Sequence, residues 1–458
     1  MHNLYILTEE RAKSNVIEKI LKIYSKRFNK TLDITNRVKI IPEIKNNKHT
    51  FKYLVKNVKI ENINEIILKI VSGNSSFVDF LIFEQEEIPK CNNDDNILML
   101  IEETKTSDKE SRNTGVYQRS SKFVYADYYY KNVFKCMLYN SENNDDEGRK
   151  PSDTNIFGTN LLLTQNIHII GKNLNNYKKF ENINELIKFK NNMRKPPKNN
   201  VPIEITKYNN RIEISGRLSK PANAGNIGHD PNIGSLTSIS KTLRVLGWNK
   251  DIIITKHGVK QEKVNKMRNN KFLTIASLLN IKLDGITFKS QKMPKNYWHY
   301  EKNSEKLGTI FLHLLSINSN KNVKGIYENH AGCERGYFYD FKGNNITIPK
   351  KDKNNNNLYL PDLILRNDDS QDILLIEGKK STTLSKGLEE IKHFESIENE
   401  IIKPNYPKYS IERWIVTYGK DIFNNDLNNK VLFHLNENGS FYVNKNSPIW
   451  LKKMLINN

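Results

Sequence analysis

Apolar residues in the C-terminal third of this chain occur in short runs separated by polar turns, and this pattern limits the folds available to it. Residues 358–365, 373–377 and 413–418 each have the length and composition of one buried strand. Residues 304–315 and 384–397 instead have the apolar spacing of amphipathic helices. A helix, two or three strands, a second helix and a further strand predict a compact α/β core.

Length and composition narrow the class of protein. The 458 residues predict two to four domains, and 21 Tyr with 19 Phe argue against a disordered chain. No run of about 18 apolar residues is present, and residues 1–10 lack the pattern of a secretory signal. The three cysteines are far apart in the sequence and fit neither a disulfide framework nor a zinc knuckle. We therefore expect a soluble, cytoplasmic protein without structural metal.

The positive charge is concentrated in the middle of the chain. Of the formal net charge of +21, residues 151–300 contribute +16, residues 1–150 contribute +3 and residues 301–458 contribute +2. A polyanion such as double-stranded DNA is the simplest partner, because each Lys or Arg near a phosphate releases condensed counterions. A lysine-rich solvated surface is the alternative. Short helices and strands in this segment are typical of a DNA-reading module, and its candidate DNA-binding residues are Lys250, Lys256, Lys260, Lys263 and Lys266.

Two of the C-terminal strands bring a set of charged side chains together. Asp362 follows Pro361 at the start of one strand, and Glu377 and Lys379 stand at the end of the next. Side chains at positions i and i+2 share one face of a strand, so Glu377 and Lys379 point the same way. Asp362 and Glu377 can then bind a hard divalent cation, and Lys379 can orient water or neutralise phosphate oxygens. Glu305 on the preceding helix is a candidate outer ligand.

These residues resemble the PD-(D/E)XK nuclease superfamily, and type II restriction endonucleases in particular. The resemblance covers residues 304–418 and depends on Pro361, Asp362, Glu377 and Lys379 in a helix–strand–strand–helix context. It implies an α/β fold with a mixed sheet flanked by helices and a Mg²⁺-dependent hydrolysis of DNA phosphodiester bonds. It also implies a cognate DNA methyltransferase as the partner in a restriction-modification system. Chance is the alternative, since motifs of this length also occur in edge strands with solvated acids.

The N-terminal third contains a second set of similar residues. Asp79 lies in one apolar run, and Glu103 and Lys105 end another. Strand parity places Glu103 and Lys105 on one face and Glu102 on the other, which favours Glu103 as the ligand. Residues 62–71 are predicted to be a helix that offers Glu65 as an outer ligand. The resemblance assigns a role to Gln118, and the residues that could hold phosphates are Arg112, Arg119 and Lys122.

This second set departs from the family pattern, because no proline precedes Asp79 and its spacing to Glu103 is longer. A degenerate nuclease-like domain or chance are the alternatives to a working site. The sequence therefore predicts three domains: an N-terminal PD-(D/E)XK-like domain (1–150), a basic DNA-recognition region (151–295) and a C-terminal nuclease domain (296–458). Two unlike sites would suit recognition of an asymmetric sequence with one site per strand. Other functions compatible with these residues are a structure-specific repair or recombination nuclease and a non-catalytic DNA-binding protein.

Overall fold

The chain is a mixed α/β protein in the computed structural model, in agreement with the fold class expected from the sequence. The chain divides into two compact units, which are described separately below. Unit 1 comprises Met1–Ser72, Gln85–Ile88 and Tyr300–Asn458, and unit 2 comprises Gly73–Glu84 and Pro89–His299. The structure describes residues 2–74, 76–104, 115–140, 151–193, 203–217, 231–266, 270–329, 337–349, 351–420 and 429–456.

Unit 1 begins with a sheet in the order β2-β3-β4-β1, in which only the β4–β1 pair is parallel. The turn between β2 and β3 is formed by Asn46 and Asn47, both with positive φ, as a two-residue hairpin requires. The helix predicted at residues 62–71 is wrong: this segment is a strand, because its β-branched run suits a pleated, buried surface. The elements are β1 (His2–Thr8), α1 (Ser14–Phe28), β2 (Leu32–Lys45), β3 (Lys48–Ile60) and β4 (Ile63–Gly73).

Unit 2 opens with an antiparallel hairpin, β5–β6, which is extended by two parallel strands in the order β5-β6-β7-β8. The Tyr-rich segment 117–138 predicts a single helix from its sequence. This prediction is wrong in its second half, where the chain turns after Tyr129 and forms strand β7. The elements are β5 (Phe80–Gln85), β6 (Ile97–Thr104), α2 (Gly115–Tyr129), β7 (Phe134–Tyr139), α3 (Asp153–Thr164) and β8 (His168–Ile170).

The basic middle segment contributes a second, smaller sheet to unit 2. Its order is β12-β11-β10-β9, with β10, β11 and β12 parallel and β9 antiparallel at the edge. Gly247 follows α5 with a φ of +91°, the left-handed conformation with which many helices end and which glycine adopts without strain. The elements are α4 (Ile183–Asn192), β9 (Ile205–Lys207), β10 (Arg211–Ser215), α5 (Pro231–Val245), β11 (Asp251–Thr255), α6 (Gln261–Lys266), α7 (Lys271–Leu279), β12 (Ile281–Leu283) and β13 (Trp298–Tyr300).

The rest of unit 1 is a sheet in the order β14-β17-β18-β19-β20-β21, beside a small hairpin, β15–β16. The β17–β18 pair is antiparallel, whereas β18, β19 and β20 run parallel. The elements are α8 (Lys306–Ser319), β14 (Val323–Glu328), β15 (Tyr337–Tyr339), β16 (Asn345–Thr347), β17 (Leu363–Asn367), β18 (Asp372–Lys380), α9 (Leu384–Glu390), α10 (Glu395–Ile397), α11 (Lys403–Asn405), β19 (Ser410–Gly419), β20 (Val431–Asn436), β21 (Phe441–Val443) and α12 (Ile449–Ile456).

The two parts of unit 1 share one packed core, although more than 200 residues separate them in the sequence. The rings of His49 and Phe311 stack with centroids 4.4 Å apart. The Arg11 guanidinium donates to the Glu328 carboxylate, with one N–O distance of 2.6 Å. The three-domain division expected from the sequence therefore differs from the division observed, in which residues 1–72 belong with the C-terminal part. Within the described residues, no helix combines the length and the apolarity that a membrane span requires.

Candidate active sites

The candidate site of unit 1 is formed where β17 and β18 pair. Leu363 lies opposite Ile376 in this antiparallel ladder, and continuing the register by one residue places Asp362 opposite Glu377. Residues 363–365 and 373–376 of these strands are apolar and buried. The charged residues Asp362 and Glu377 come directly next to them, at the same end of the strand pair. The sequence prediction that Asp362 lies beside Glu377 agrees with this register.

Hydrogen bonds to the backbone hold Asp362 in place. Its Oδ2 accepts from the Gly378 N–H at 2.8 Å, and its own N–H donates to the Ile376 carbonyl at 3.0 Å. The Asp362 carbonyl accepts from the Asn329 N–H at 2.7 Å. Three backbone contacts, two from β18 and one from the residue after β14, therefore fix both the main chain and one carboxylate oxygen of Asp362.

Glu377 and Lys379 contact each other directly, as their shared strand face predicts. The Lys379 ammonium forms an ion pair with Glu377 Oε1, and a second one with Glu390 Oε2 at 2.7 Å. Burial and the neighbouring charge of Asp362 raise the pKa of Glu377 to about 8. Burial lowers the pKa of Lys379, but its hydrogen bonds to the two glutamates outweigh that effect and the net direction is upward. The group therefore consists of two carboxyl groups that disfavour each other's ionisation and an ammonium that keeps its charge.

Glu305 comes close to this group from helix α8, where it occupies the N-cap position. A methyl group added at Gly378 would lie 3.7 Å from Glu305 Cβ, 3.0 Å from Asp362 Oδ2 and 2.8 Å from Thr309 Cγ2. Gly378 thus allows α8 to approach the strand on the face opposite to Lys379. Glu305 and Asp362 both border the position of Gly378, and the role of Glu305 as an outer ligand stays a prediction.

The candidate site of unit 2 repeats this strand register. Phe80 lies opposite Ile101 in the β5–β6 ladder, so one further step places Asp79 opposite Glu102. Asp79 Oδ2 accepts from the Glu103 N–H at 2.7 Å, in the way that Asp362 accepts from Gly378. The Asp79 N–H donates to Glu102 Oε2 at 3.2 Å. By register, Glu102 corresponds to Glu377, and Glu103 corresponds to Gly378.

The ammonium group in unit 2 comes from a helix. Lys122 on α2 forms ion pairs with Glu102 Oε1 at 2.6 Å and with Asp79 Oδ1 at 3.2 Å. Glu102 is 1% exposed, and its burial, together with the charge of Asp79, raises its pKa to about 8. Glu103 instead accepts a hydrogen bond from Asn140 Nδ2 at 2.8 Å. The geometry therefore favours Glu102 over Glu103 as the partner of Asp79, because parity within β6 does not show which face meets Asp79.

The other residues singled out in the N-terminal third are dispersed. Lys105 and Arg112 lie outside the described residues. Arg119 is 3.9 Å from Glu102 Oε1, and Gln118 is on the same helix with its backbone against Gly234. Glu65 is exposed on strand β4 and belongs to unit 1, whereas Asp79 belongs to unit 2. The helix that was expected to present Glu65 does not exist.

The five lysines predicted to dock DNA are exposed and lie around the small sheet of unit 2. Lys250 precedes β11 and donates to the Asn209 carbonyl at 2.6 Å. Lys256 and Lys260 follow the same strand, and helix α6 carries Lys263 and Lys266. Five positive side chains therefore stand around one strand and the short helix after it.

Comparison with protein-family models, characterised proteins and solved structures found no match for this chain. The described ranges contain no group of three or more His, Cys, Asp or Glu side chains placed to hold a metal ion. The acid pairs Asp362–Glu377 and Asp79–Glu102 are thus the candidate cation ligands. Sequence reasoning missed Glu102, Glu390 and the acid contacts of Lys122. The position of Glu102 depends on the register between β5 and β6, and the contacts of Glu390 and Lys122 depend on how helices pack, so no local sequence signal identifies them.

Proposed function

We propose that this protein is a Mg²⁺-dependent DNA endonuclease, most simply a type II restriction enzyme. The observation that carries the proposal is the position of Asp362 opposite Glu377 on paired strands, with Lys379 in contact with Glu377. Two carboxylates and one ammonium at the edge of a sheet form a group that can act on a phosphodiester. The repeat of the acid pair in unit 2 makes a single chance motif a weaker explanation.

The residues present fit a hard divalent cation. Mg²⁺ in proteins is bound through one or two carboxylates, with water and substrate phosphate oxygens as its other ligands. Asp362 Oδ2 accepts from the Gly378 N–H, and the register of β17 and β18 places Asp362 opposite Glu377. Burial raises the pKa of Glu377 first and the charge of Asp362 second, and a bound cation would favour the ionised carboxylate against both. Such an ion supplies an activated water and stabilises charge on the phosphate.

The protein residues have separate roles in this proposal. Asp362 is rigid because backbone groups hold it, so it can keep a ligand oxygen at one position. Lys379 presents a charged ammonium that can hydrogen-bond the attacking water or a phosphate oxygen that gains charge. The exposed lysines of the middle segment would hold the DNA backbone and bring the small sheet and its helices to the base edges.

The two acid pairs suggest why one chain would need both units. A single metal site cannot attack two antiparallel strands without repositioning, whereas two sites can each attack one strand. We therefore propose recognition of an asymmetric DNA sequence, with Asp362, Glu377 and Lys379 acting on one strand. Asp79, Glu102 and Lys122 would act on the other. A cognate DNA methyltransferase that protects the same sequence is the partner this function requires.

Digestion of plasmid DNA in Mg²⁺ is the direct test. Discrete bands are expected from the wild-type protein, and Asp362→Ala should lose cleavage of at least one strand while it still binds DNA in Ca²⁺. Asp369→Asn, which removes an exposed carboxylate at the far turn of the same hairpin, is the matched control. Normal cleavage by Asp362→Ala would refute the site. Cleavage confined to branched or flapped DNA would favour a repair nuclease, and binding without any cleavage a DNA-binding protein.

The division between strands is tested with two isosteric variants. Glu377→Gln and Glu102→Gln should each nick plasmid at the recognition sequence, and strand-resolved sequencing should locate the nicks on opposite strands. If Glu102→Gln cuts both strands at the normal rate, unit 2 serves recognition or structure. If either variant stops all nicking, one composite site is the better account.

A further inference from the structure

Glu390 is a third carboxylate at the unit 1 site, and the motif residues do not include it. It ends helix α9, and its Oε2 lies 2.7 Å from the Lys379 ammonium. Its other carboxylate oxygen, Oε1, lies 3.4 Å from the exposed Lys386 ammonium. The Lys379 side chain is 13% exposed and that of Glu390 is 25% exposed, so this contact is largely shielded from water. Lys379 is therefore held from two elements, by Glu377 on its own strand and by Glu390 on a helix.

The helix that carries Glu390 is packed closely against Lys379. A methyl group at Gly387 would lie 2.7 Å from Lys379 Cγ and 3.3 Å from Ile415 Cδ1. Only a residue without a side chain allows this approach, since Cβ atoms do not come so close to other heavy atoms. Two positions one turn apart on α9 thus contact the same lysine. Gly387 lets the helix approach Lys379, and Glu390 binds its ammonium.

A cation at the acid pair would weaken the contact of Glu377 with Lys379. A carboxylate that takes up a divalent cation shares its negative charge with that ion, and the cation repels the nearby ammonium. Asp362 would bind the same cation in this proposal, and the Lys379 ammonium forms ion pairs with Glu377 and Glu390. Glu390 also shares a hydrogen bond with Glu377, but it reaches the ammonium from a different element and is not a member of the acid pair.

We propose that Glu390 is a positioning residue that keeps the Lys379 ammonium at the acid pair when a cation occupies Asp362 and Glu377. This inference rests on the proposed nuclease function. Removing the charge of Glu390 removes the ion pair that would keep the Lys379 ammonium in place when a cation is bound. Misplacement of a catalytic group by about 1 Å costs about a hundredfold in rate, so we expect a loss of that order in single-turnover cleavage. DNA affinity should remain unchanged.

The test compares Glu390→Gln with Glu389→Gln, which removes the same charge from the neighbouring exposed position of the same helix. Reductive methylation of Lys379, measured by mass spectrometry with and without Ca²⁺ alone, reports how firmly the ammonium is held and does not require cleavage. We expect Lys379 to be labelled several-fold faster in Glu390→Gln with Ca²⁺ than in the wild type. Glu389→Gln should match the wild type, and Glu390→Asp should recover part of the protection.

Each outcome decides one of the two proposals. If the wild type cleaves DNA and Glu390→Gln cleaves at the same rate with Lys379 equally protected, the positioning role is refuted and the nuclease function stands. If the wild type cleaves no DNA, the nuclease function fails. Faster labelling of Lys379 in Glu390→Gln would then still support the contact as the feature that holds the lysine. Thermal unfolding of each variant identifies a loss of folding, and the Glu390→Asp variant replaces Glu390→Gln if the latter unfolds.

Discussion

The contact between Lys122 and Glu102 makes a prediction that does not depend on any catalytic activity. Glu102 is 1% exposed, and the Lys122 ammonium lies 2.6 Å from it. The variant Lys122→Met keeps most of the volume of the side chain and removes its charge. A buried carboxylate that loses its partner costs about 3–5 kcal/mol when it stays ionised. Lys122 keeps 29% of its side chain exposed, so we expect the lower end of that range.

The size of this loss should depend on pH. The pKa of Glu102 in the folded protein is raised to about 8, well above its ordinary value. A raised carboxyl pKa contributes stability that is fully present below the ordinary pKa and is lost as the pH rises through about 8. Lys122→Met removes a charge that favours the ionised form, so the pKa of Glu102 should rise further. Near pH 6 Glu102 is mostly neutral in both proteins, and the variant should lose only about 1 kcal/mol for the hydrogen bond.

The assay is thermal unfolding of the wild type and Lys122→Met at pH 6 and pH 9. In a domain of 150–250 residues, 1 kcal/mol shifts Tm by about 2–4 °C. At pH 9, one pH unit above the wild-type pKa of about 8, the variant loses about 1.4 kcal/mol more. The shift should therefore be about 2–4 °C at pH 6 and about twice as large at pH 9. Lys131→Met, at an exposed lysine just after the same helix, is the control and should show no such difference. An equal shift at both pH values would refute the reasoning.

Three further results are expected. Because protons compete for Glu377, whose pKa is about 8, Ca²⁺ affinity measured by calorimetry should rise from pH 6 to pH 8.5, and Glu377→Gln should lose this rise. Tyr297→Phe removes a hydroxyl that accepts from the Val78 N–H at 3.0 Å and donates to the Ser76 carbonyl at 3.1 Å. It should increase hydrogen exchange at Val78, and unchanged exchange would contradict the contact. DNA affinity should fall steeply with salt, with a smaller slope after charge reversal of Lys250, Lys256, Lys260, Lys263 and Lys266, and a salt-independent affinity would exclude these lysines as the dock.

The local pattern of the sequence determined where most site elements lie. Buried strands were expected at residues 373–377 and 413–418, and β18 and β19 contain both segments. The pairing of Glu377 with Lys379 followed from the two-residue period of a strand, which is a property of the backbone alone. The sequence also predicted that Asp362 can lie beside Glu377 if the two strands are adjacent, and the antiparallel register that brings them together is a finding of the structure.

Packing decided whether two ambiguous apolar segments fold as strand or as helix. The apolar runs at residues 62–71 and 134–138 have no period that separates a buried strand from a buried helix, and both were predicted as helix. Their pairing in β4 and β7 depends on partner strands elsewhere in the chain. The loss of a helix near Glu65 follows from this, because no local feature of that segment specifies its partner strand.

Contacts between distant residues were decided by the tertiary structure alone. The choice of Glu102 over Glu103 requires the register between β5 and β6, and the ammonium of Lys122 arrives from a helix that begins only after residue 114. Glu390 meets Lys379 because Gly387 lets a helix approach the strand closely. Residues 1–72 fold with residues 300–458 because side chains of the two segments pack together, and no local pattern in either segment specifies this. The sequence pattern indicates which side chains share a face within one helix or strand. The distance between side chains on different elements depends on how those elements pack against each other.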